Sequence, residues 1–299
     1  MAFTSGDGAY TYDDKAMRED LLDVLTNLTP TENQLVSGLG TTSAANIQHQ
    51  WLIDTLNAVK TNAYAEGIDA SLGSLTNPVR LFNYTQIFRE AYQVSGTERA
   101  VNTAAFSDRF SYEASKALKE LKNDMEYALM RGSLACGTGS AVRQLLGIKL
   151  SLSIITSSSG VSLTEVILND YFQAVWDKGT EVNALYSGMY MKRKISAFTA
   201  NSTMNLDAKD RRLVNAVDIY EADAARIVKL FAHRYVTVSG DTNYDIVGLN
   251  EDLFKVAYLR KPMNETLSKT GDADKAEIIT ECTLETRHYD GGFWGGLHL

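Results

Sequence analysis

Proline is nearly missing from these 299 residues: Pro30, Pro78 and Pro262 are the only three. No proline-rich spacer therefore divides the chain into beads on a string. Cysteine is equally scarce. Cys136 and Cys282 stand far apart and form neither a CxxC pair nor a zinc spacing, which fits reduced thiols and cytosolic synthesis. Positive charge is in deficit, with 29 Lys and Arg against 37 Asp and Glu, a net charge of −8. A protein that grips a duplex by its phosphates needs a basic face. The basic clusters are short, such as Lys192-Arg193-Lys194 and Arg211-Arg212, and read as solvated surface. No uninterrupted apolar run approaches the ~18 residues of a membrane span, and the greasiest stretch, Leu145 to Ile155, is broken by Lys149 and several serines. The opening MAFTSGDGAY lacks the basic-then-apolar order of a signal peptide.

What is present suits a folded chain, with 44% hydrophobic and 22% charged residues, and its predicted elements are of mixed α+β class. Residues 13–28 carry apolar spacing at Met17, Leu21, Leu22 and Leu25, with Asp13 and Asp14 at the end where a helix favours negative charge, and Thr29-Pro30 stops that helix. From Ile47 to Thr97 the chain reads as extended. HQWLIDTL and RLFNYTQIF are rich in aromatic and β-branched residues, and a polar, small-residue segment separates them. This predicts a long two-stranded excursion that cannot build a core of its own. Residues 107–131 form one apolar stripe at steps of three and four: Phe110, Ala114, Ala117, Leu118, Leu121, Met125, Ala128 and Leu129. Ser107 is placed as its N-cap, Lys116–Glu120 and Lys122–Glu126 as i,i+4 pairs on its outer face, and Gly132 as its end. A second helix is expected over 163–178, opened by a capping box at Ser162 and Glu165. Its broad buried face would include Val166 and Trp176. A third helix is expected over Glu221–Lys229. Strands are expected at 235–239, 244–247, 254–259 and 278–289.

Catalytic signatures are sparse. Gly132 to Thr138 has the glycine spacing of a phosphate loop but lacks its lysine. Asp272, Asp274 and Glu277 begin like a calcium loop, yet the sixth position is Glu277 where glycine is needed, so a polar turn is the better reading. His49, His233, His288 and His298 never pair at i,i+3 or i,i+4, and no GxSxG elbow occurs. No catalytic residue, cofactor site or metal site is nominated.

The segment order, an arm, an excursion, a long helix, a helix-bearing middle and closing strands, resembles the Hong Kong 97-like major capsid fold of tailed phages. The local wording resembles one phage capsid family formerly described as a domain of unknown function. The matching strings are TNLTPTENQL (Thr26–Leu35), GTTSAANIQHQWLIDTL (Gly40–Leu56), Glu66-Gly67, NYTQIF (Asn83–Phe88), VSGT (Val94–Thr97), ALKELKNDMEYAL (Ala117–Leu129) and the run Phe254–Arg287. The chain departs from that family's pattern at Asn33-Gln34-Leu35 and in its tail, GGFWGGLHL.

The resemblance implies an N-terminal arm over 1–50, an E-loop over 51–105, the spine helix of a P-domain over 106–134, an A-domain over 135–240, and P-domain strands with the C-terminus over 241–299. It implies a structural subunit, not an enzyme, that assembles as hexamers and pentamers into an icosahedral virion shell around double-stranded DNA contacted weakly and without sequence specificity. Synthesis and assembly would take place in the host cytoplasm, with a portal and a separate scaffolding or decoration protein as partners and no membrane. Phe110, Leu118, Leu121 and Met125 would form the subunit core along the spine. Arg80, Arg89, Glu90 and Arg99 on the excursion are the candidate intersubunit contacts, with a solvated face as the alternative. Competing readings are an encapsulin-type compartment and, further off, a soluble α+β enzyme.

Overall fold

The computed structural model of the chain describes residues 33–69, 73, 75–101, 108–139, 141–158, 162–198, 218–221, 227–237 and 243–298. The helix expected over 13–28 and the cap expected at Ser107 lie outside them. In chain order the elements begin with α1 (Gln34–Gly38), β1 (Gly40–Ser43), β2 (Gln48–Ile53), β3 (Val79–Tyr84), β4 (Gln86–Ser95), α2 (Gly96–Ala100) and α3 (Arg109–Arg131). They continue with α4 (Ile148–Ser151), β5 (Ile154–Ser158), α5 (Glu165–Trp176), β6 (Ala184–Ser187), α6 (Met189–Phe198), β7 (Ile219–Tyr220) and β8 (Val228–Ala232). The last are β9 (Asn243–Leu249), β10 (Phe254–Leu267), β11 (Ala273–Thr286) and β12 (Gly292–His298).

The spine α3 follows its stripe. Ala117, Leu121, Met125, Ala128, Leu129 and Met130 are buried, and the helix stops at Gly132. Asp108 is the cap: its carboxylate accepts the Phe110 N–H at 3.1 Å and the Ser111 hydroxyl at 2.6 Å. Lys116 and Glu120 do pair, at 3.7 Å. Glu126 does not belong on the outer face, because its side chain is fully buried.

The strands form three sheets. A four-stranded sheet runs β1-β10-β11-β4, a six-stranded sheet runs β5-β12-β9-β6-β8-β7, and β2 pairs with β3 alone. The six-stranded sheet separates two cores, and its strands alternate between them as period-2 pleating requires. Ile246, Leu185 and Phe293 face the cluster under α5 and α6. Val247, Tyr186 and Trp294 face the cluster shared with the spine and with Phe254, Val256 and Leu284.

Several expectations change. The helix expected over Glu221–Lys229 is not one at its described end, since Val228–Ala232 is strand β8 between β6 and β7, with Val228 and Leu230 buried. Burial in a sheet overrides the helix propensity of the alanines before it. Residues 234–237 turn where a strand was expected. Helix α5 begins at Glu165 with Thr164 as cap, so Ser162 does not open a capping box. Val166 and Trp176 are exposed and do not join its buried face. The closing strands also divide. β10 and β11 extend to 14 residues each in the four-stranded sheet, whereas β9 and β12 pair into the six-stranded sheet with β5 and β6.

Candidate assembly surface

The excursion between β2 and β3 has no core. Every described residue from 54 to 78 is exposed, and Leu56, Val59 and Leu75 are almost wholly so. Its base is held differently, by buried polar groups on β11. The Trp51 indole N–H donates to the Thr286 carbonyl at 2.8 Å, and His49 Nε2 sits 3.1 Å from a Glu285 oxygen. Asn83, buried on β3, donates its amide to the Leu284 carbonyl at 2.8 Å and to the Leu146 carbonyl at 3.1 Å. Its Oδ1 accepts the Leu146 N–H at 2.8 Å. The Thr85 hydroxyl donates to Glu281 at 2.7 Å, and Glu281 also holds Arg143 (2.7 Å) and Arg260 (3.1 Å). A firm base under a bare tip places the apolar side chains of the tip away from their own subunit.

The four candidate contacts separate. Arg80 is exposed on β3, opposite Leu52 of β2. Arg89 lies 3.8 Å from Glu277 of the same chain. Arg99 pairs with Asp274 of the same chain, and its guanidinium lies 5.7 Å from the centre of the Phe110 ring. Asp274 also binds Lys269; these hydrogen bonds hold its carboxyl below the usual range. Glu90 on β4 has its carboxyl pushed up, first by burial and then by Asp124 and Glu120 on the spine. Of the spine residues, Leu121 and Met125 are fully buried, Leu118 packs against the core, and the Phe110 ring lies tilted with its centre 5.1 Å from that of Tyr92.

The residues that organise this base, Asn83, Glu281 and Glu285, were not nominated from the sequence. Asn83 and Thr85 do fall inside the NYTQIF string that carried the resemblance. The spine also ties the sheets together. Arg131 donates to the carbonyls of Tyr235 and Val236 and pairs with Asp245 at 3.1 Å, while Lys149 lies 3.8 Å from the same carboxylate. Both cations lie over Trp294, the tail residue whose packing the sequence left open. Cys282 is buried, which first of all pushes its thiol up to about 12, so it is inert at neutral pH. Among the described residues, no group of three or more His, Cys, Asp or Glu could hold a metal ion, and no helix is long and apolar enough to cross a membrane.

The sequence profile of the SU10 major capsid protein family matches residues 4–294. The chain is 29% identical over 123 residues to the major capsid protein of Escherichia phage Phieco32, which covers 41% of this chain and 35% of that one. The match thus spans about a third of the length of that curated relative. The fold is similar to the capsid asymmetric unit of Cyanophage A-1(L), at TM-score 0.67 and 12% identity over 93% of this chain and 96% of that one. A chain of Microbacterium phage Oxtober96 gives TM-score 0.65 and 10% identity over 94% and 96%. The holo-SrpI encapsulin complex of Synechococcus elongatus gives a lower TM-score, 0.60, at 12% identity over 95% and 92%. At such identities the likeness is one of fold, the Hong Kong 97-like capsid fold. Matched by one family from residue 4 to residue 294 and folded as capsid subunits fold, the chain belongs to the SU10 major capsid protein family, as a structural subunit and not an enzyme.

Proposed function

We propose that the chain self-assembles as hexamers and pentamers into an icosahedral phage capsid that encloses double-stranded DNA. The observation that carries this is the excursion over 54–78, whose exposed Leu56, Val59 and Leu75 stand on a base locked by Asn83, Trp51 and Thr85. Apolar surface gains about 25 cal/mol per Å² when it leaves water, and within one subunit this segment has nothing to lie on. A neighbouring copy supplies the cover, in head-to-tail contacts that close into rings and then into a shell. Each subunit then buries more than the ~1,600 Å² of a standard interface. A net charge of −8 suits a wall that surrounds DNA without gripping it. Portal and scaffolding or decoration proteins are the further partners, and assembly takes place in the host cytoplasm.

Electron microscopy of the purified protein, with light scattering for mass, tests this reading. Closed shells, tubes, or rings of five and six subunits are expected. A homogeneous monomer or small oligomer, at high concentration and with a candidate scaffold co-expressed, overturns it. An encapsulin-type compartment, favoured only by the fold shared with the SrpI shell, would enclose a protein cargo where a capsid encloses DNA. The contents of particles from infected cells separate the two.

A further inference from the structure

Outside the assembly surface, one buried charge joins three parts of the chain that are distant in sequence. Glu126, in the last two turns of the spine, has no exposed side-chain surface. Its Oε1 accepts the N–H of Leu35 at 2.7 Å and lies 2.8 Å from His233 Nε2, and its Oε2 accepts the N–H of Val36 at 2.9 Å. His233 Nδ1 accepts the N–H of Tyr235 at 3.2 Å, so the ring proton sits on Nε2 and is given to Glu126. His233 Nε2 therefore donates, and Glu126 is the acceptor for all three N–H groups. At α1 this carboxylate does the work of a helix cap, since Asn33 in the cap position makes no side-chain cap bond. Leu35 is fully buried against the spine core beside it.

We propose that Glu126 is a charge-dependent clasp. Its carboxylate docks α1, the end of the N-terminal arm, on the body, and its neutralisation lets α1 detach while the sheets stay folded. The geometry argues for a local device because the two backbone donors belong to a five-residue helix with a single buried side chain, Leu35, whereas Glu126 and His233 sit on elements held by many other contacts. A carboxamide in place of the carboxylate keeps one acceptor oxygen and turns an NH2 group toward a backbone N–H, so one arm contact becomes repulsive. This inference does not rest on the capsid reading.

Native-state hydrogen exchange of the intact chain, resolved to the amides of Leu35 and Val36 and compared with those of β9, tests the clasp. In E126Q both arm amides should exchange about ten- to a hundredfold faster while β9 is unchanged, as expected for the loss of hydrogen bonds to a charged group. H233Q keeps an N–H donor toward Glu126 and should accelerate them less than E126Q does. Arm amides unchanged in E126Q, or accelerated only in step with β9, overturn the proposal. Should E126Q not fold, exchange of the unsubstituted protein in graded denaturant decides. Opening at Leu35 and Val36 below the free energy of global unfolding supports the clasp, and opening only with β9 overturns it.

Discussion

Gly248 of β9 lies directly across the six-stranded sheet from Phe293 of β12, its backbone against the Phe293 ring, with no room for a Cβ between them. Phe293 is fully buried against Tyr171 and Phe172, so the ring cannot retreat without displacing both. G248A should therefore cost about 1–3 kcal/mol through overpacking. Chemical denaturation measures this; a variant as stable as its parent would mean that the ring has slack.

Asn83 fastens the excursion to the body with one side chain. N83A leaves the Leu284 and Leu146 carbonyls and the Leu146 N–H without this partner. Each buried group so abandoned costs about 1–3 kcal/mol, and a loss of several kcal/mol in all is expected. Limited proteolysis should show faster cleavage at 54–78 in N83A than in the parent, and equal rates would show that β2 and β3 are held by other contacts.

Two carboxylates, Asp124 on the spine and Glu90 on β4, work against the fold at neutral pH. Burial, and then repulsion from Glu120, pushes Asp124 up, and burial followed by Asp124 and Glu120 does the same to Glu90. For an acid raised in the folded state, stability is complete below the unfolded-state range and is lost as pH rises through the raised value. D124N should accordingly raise the urea midpoint at pH 7, with the difference shrinking toward pH 3.

Glu285 behaves in the opposite sense. Burial acts upward on it, but hydrogen bonds from Arg287 and His49 outweigh that and hold its carboxyl below the usual range. Stability from such a group is present above the unfolded-state range and is lost as pH falls through the lowered value. E285Q should lower the urea midpoint at pH 7 and converge with the parent in acid. A gap that widened in acid would reverse the assignment.

The tip of the excursion separates assembly from folding. Leu56 and Leu75 touch little of their own subunit, so the pair L56D and L75D should leave subunit stability within about 0.5 kcal/mol. Shell yield, counted by electron microscopy, should collapse. Normal shells from this variant would show that no neighbour covers the tip.

Elements with strong local periodicity were readable in advance. The spine stripe from Ala117 to Leu129, strands within 47–97 and a strand over 278–286 all appear. What escaped the sequence was long-range. Lys122 and Glu126 sit four apart on a helix, which ordinarily marks an exposed ion pair. Only the folded arrangement brings Leu35, Val36 and His233 to Glu126 and buries it. Arg89 and Arg99 were read as candidate intersubunit contacts or as a solvated face, and the sequence did not disclose their same-chain partners, Glu277 opposite β4 for Arg89 and Asp274 for Arg99 on α2. Val228 to Ala232 follows an alanine-rich, helix-favouring stretch and becomes a strand because β6 and β7 flank it. The likeness to a capsid family carried the architecture further than local patterns could, and it said nothing of these pairings.

The position of β12 bears on the order of events in synthesis. Among the described residues, strand β5 has a single neighbour in its sheet, and that neighbour is β12. A chain made from its N-terminus forward produces β5 first among the six strands and β12 last, so the earliest strand waits for the latest. Until residues 292–298 exist, β9 lacks a partner on one side and the place of Trp294 beside Arg131 and Lys149 is unfilled. The six-stranded sheet therefore closes only once residues 292–298 are made, and the β5–β12 pairing is of the distant kind that slows folding. A copy that stops before residue 292 lacks Phe293 of the one core and Trp294 of the other, so this single strand is needed to complete both.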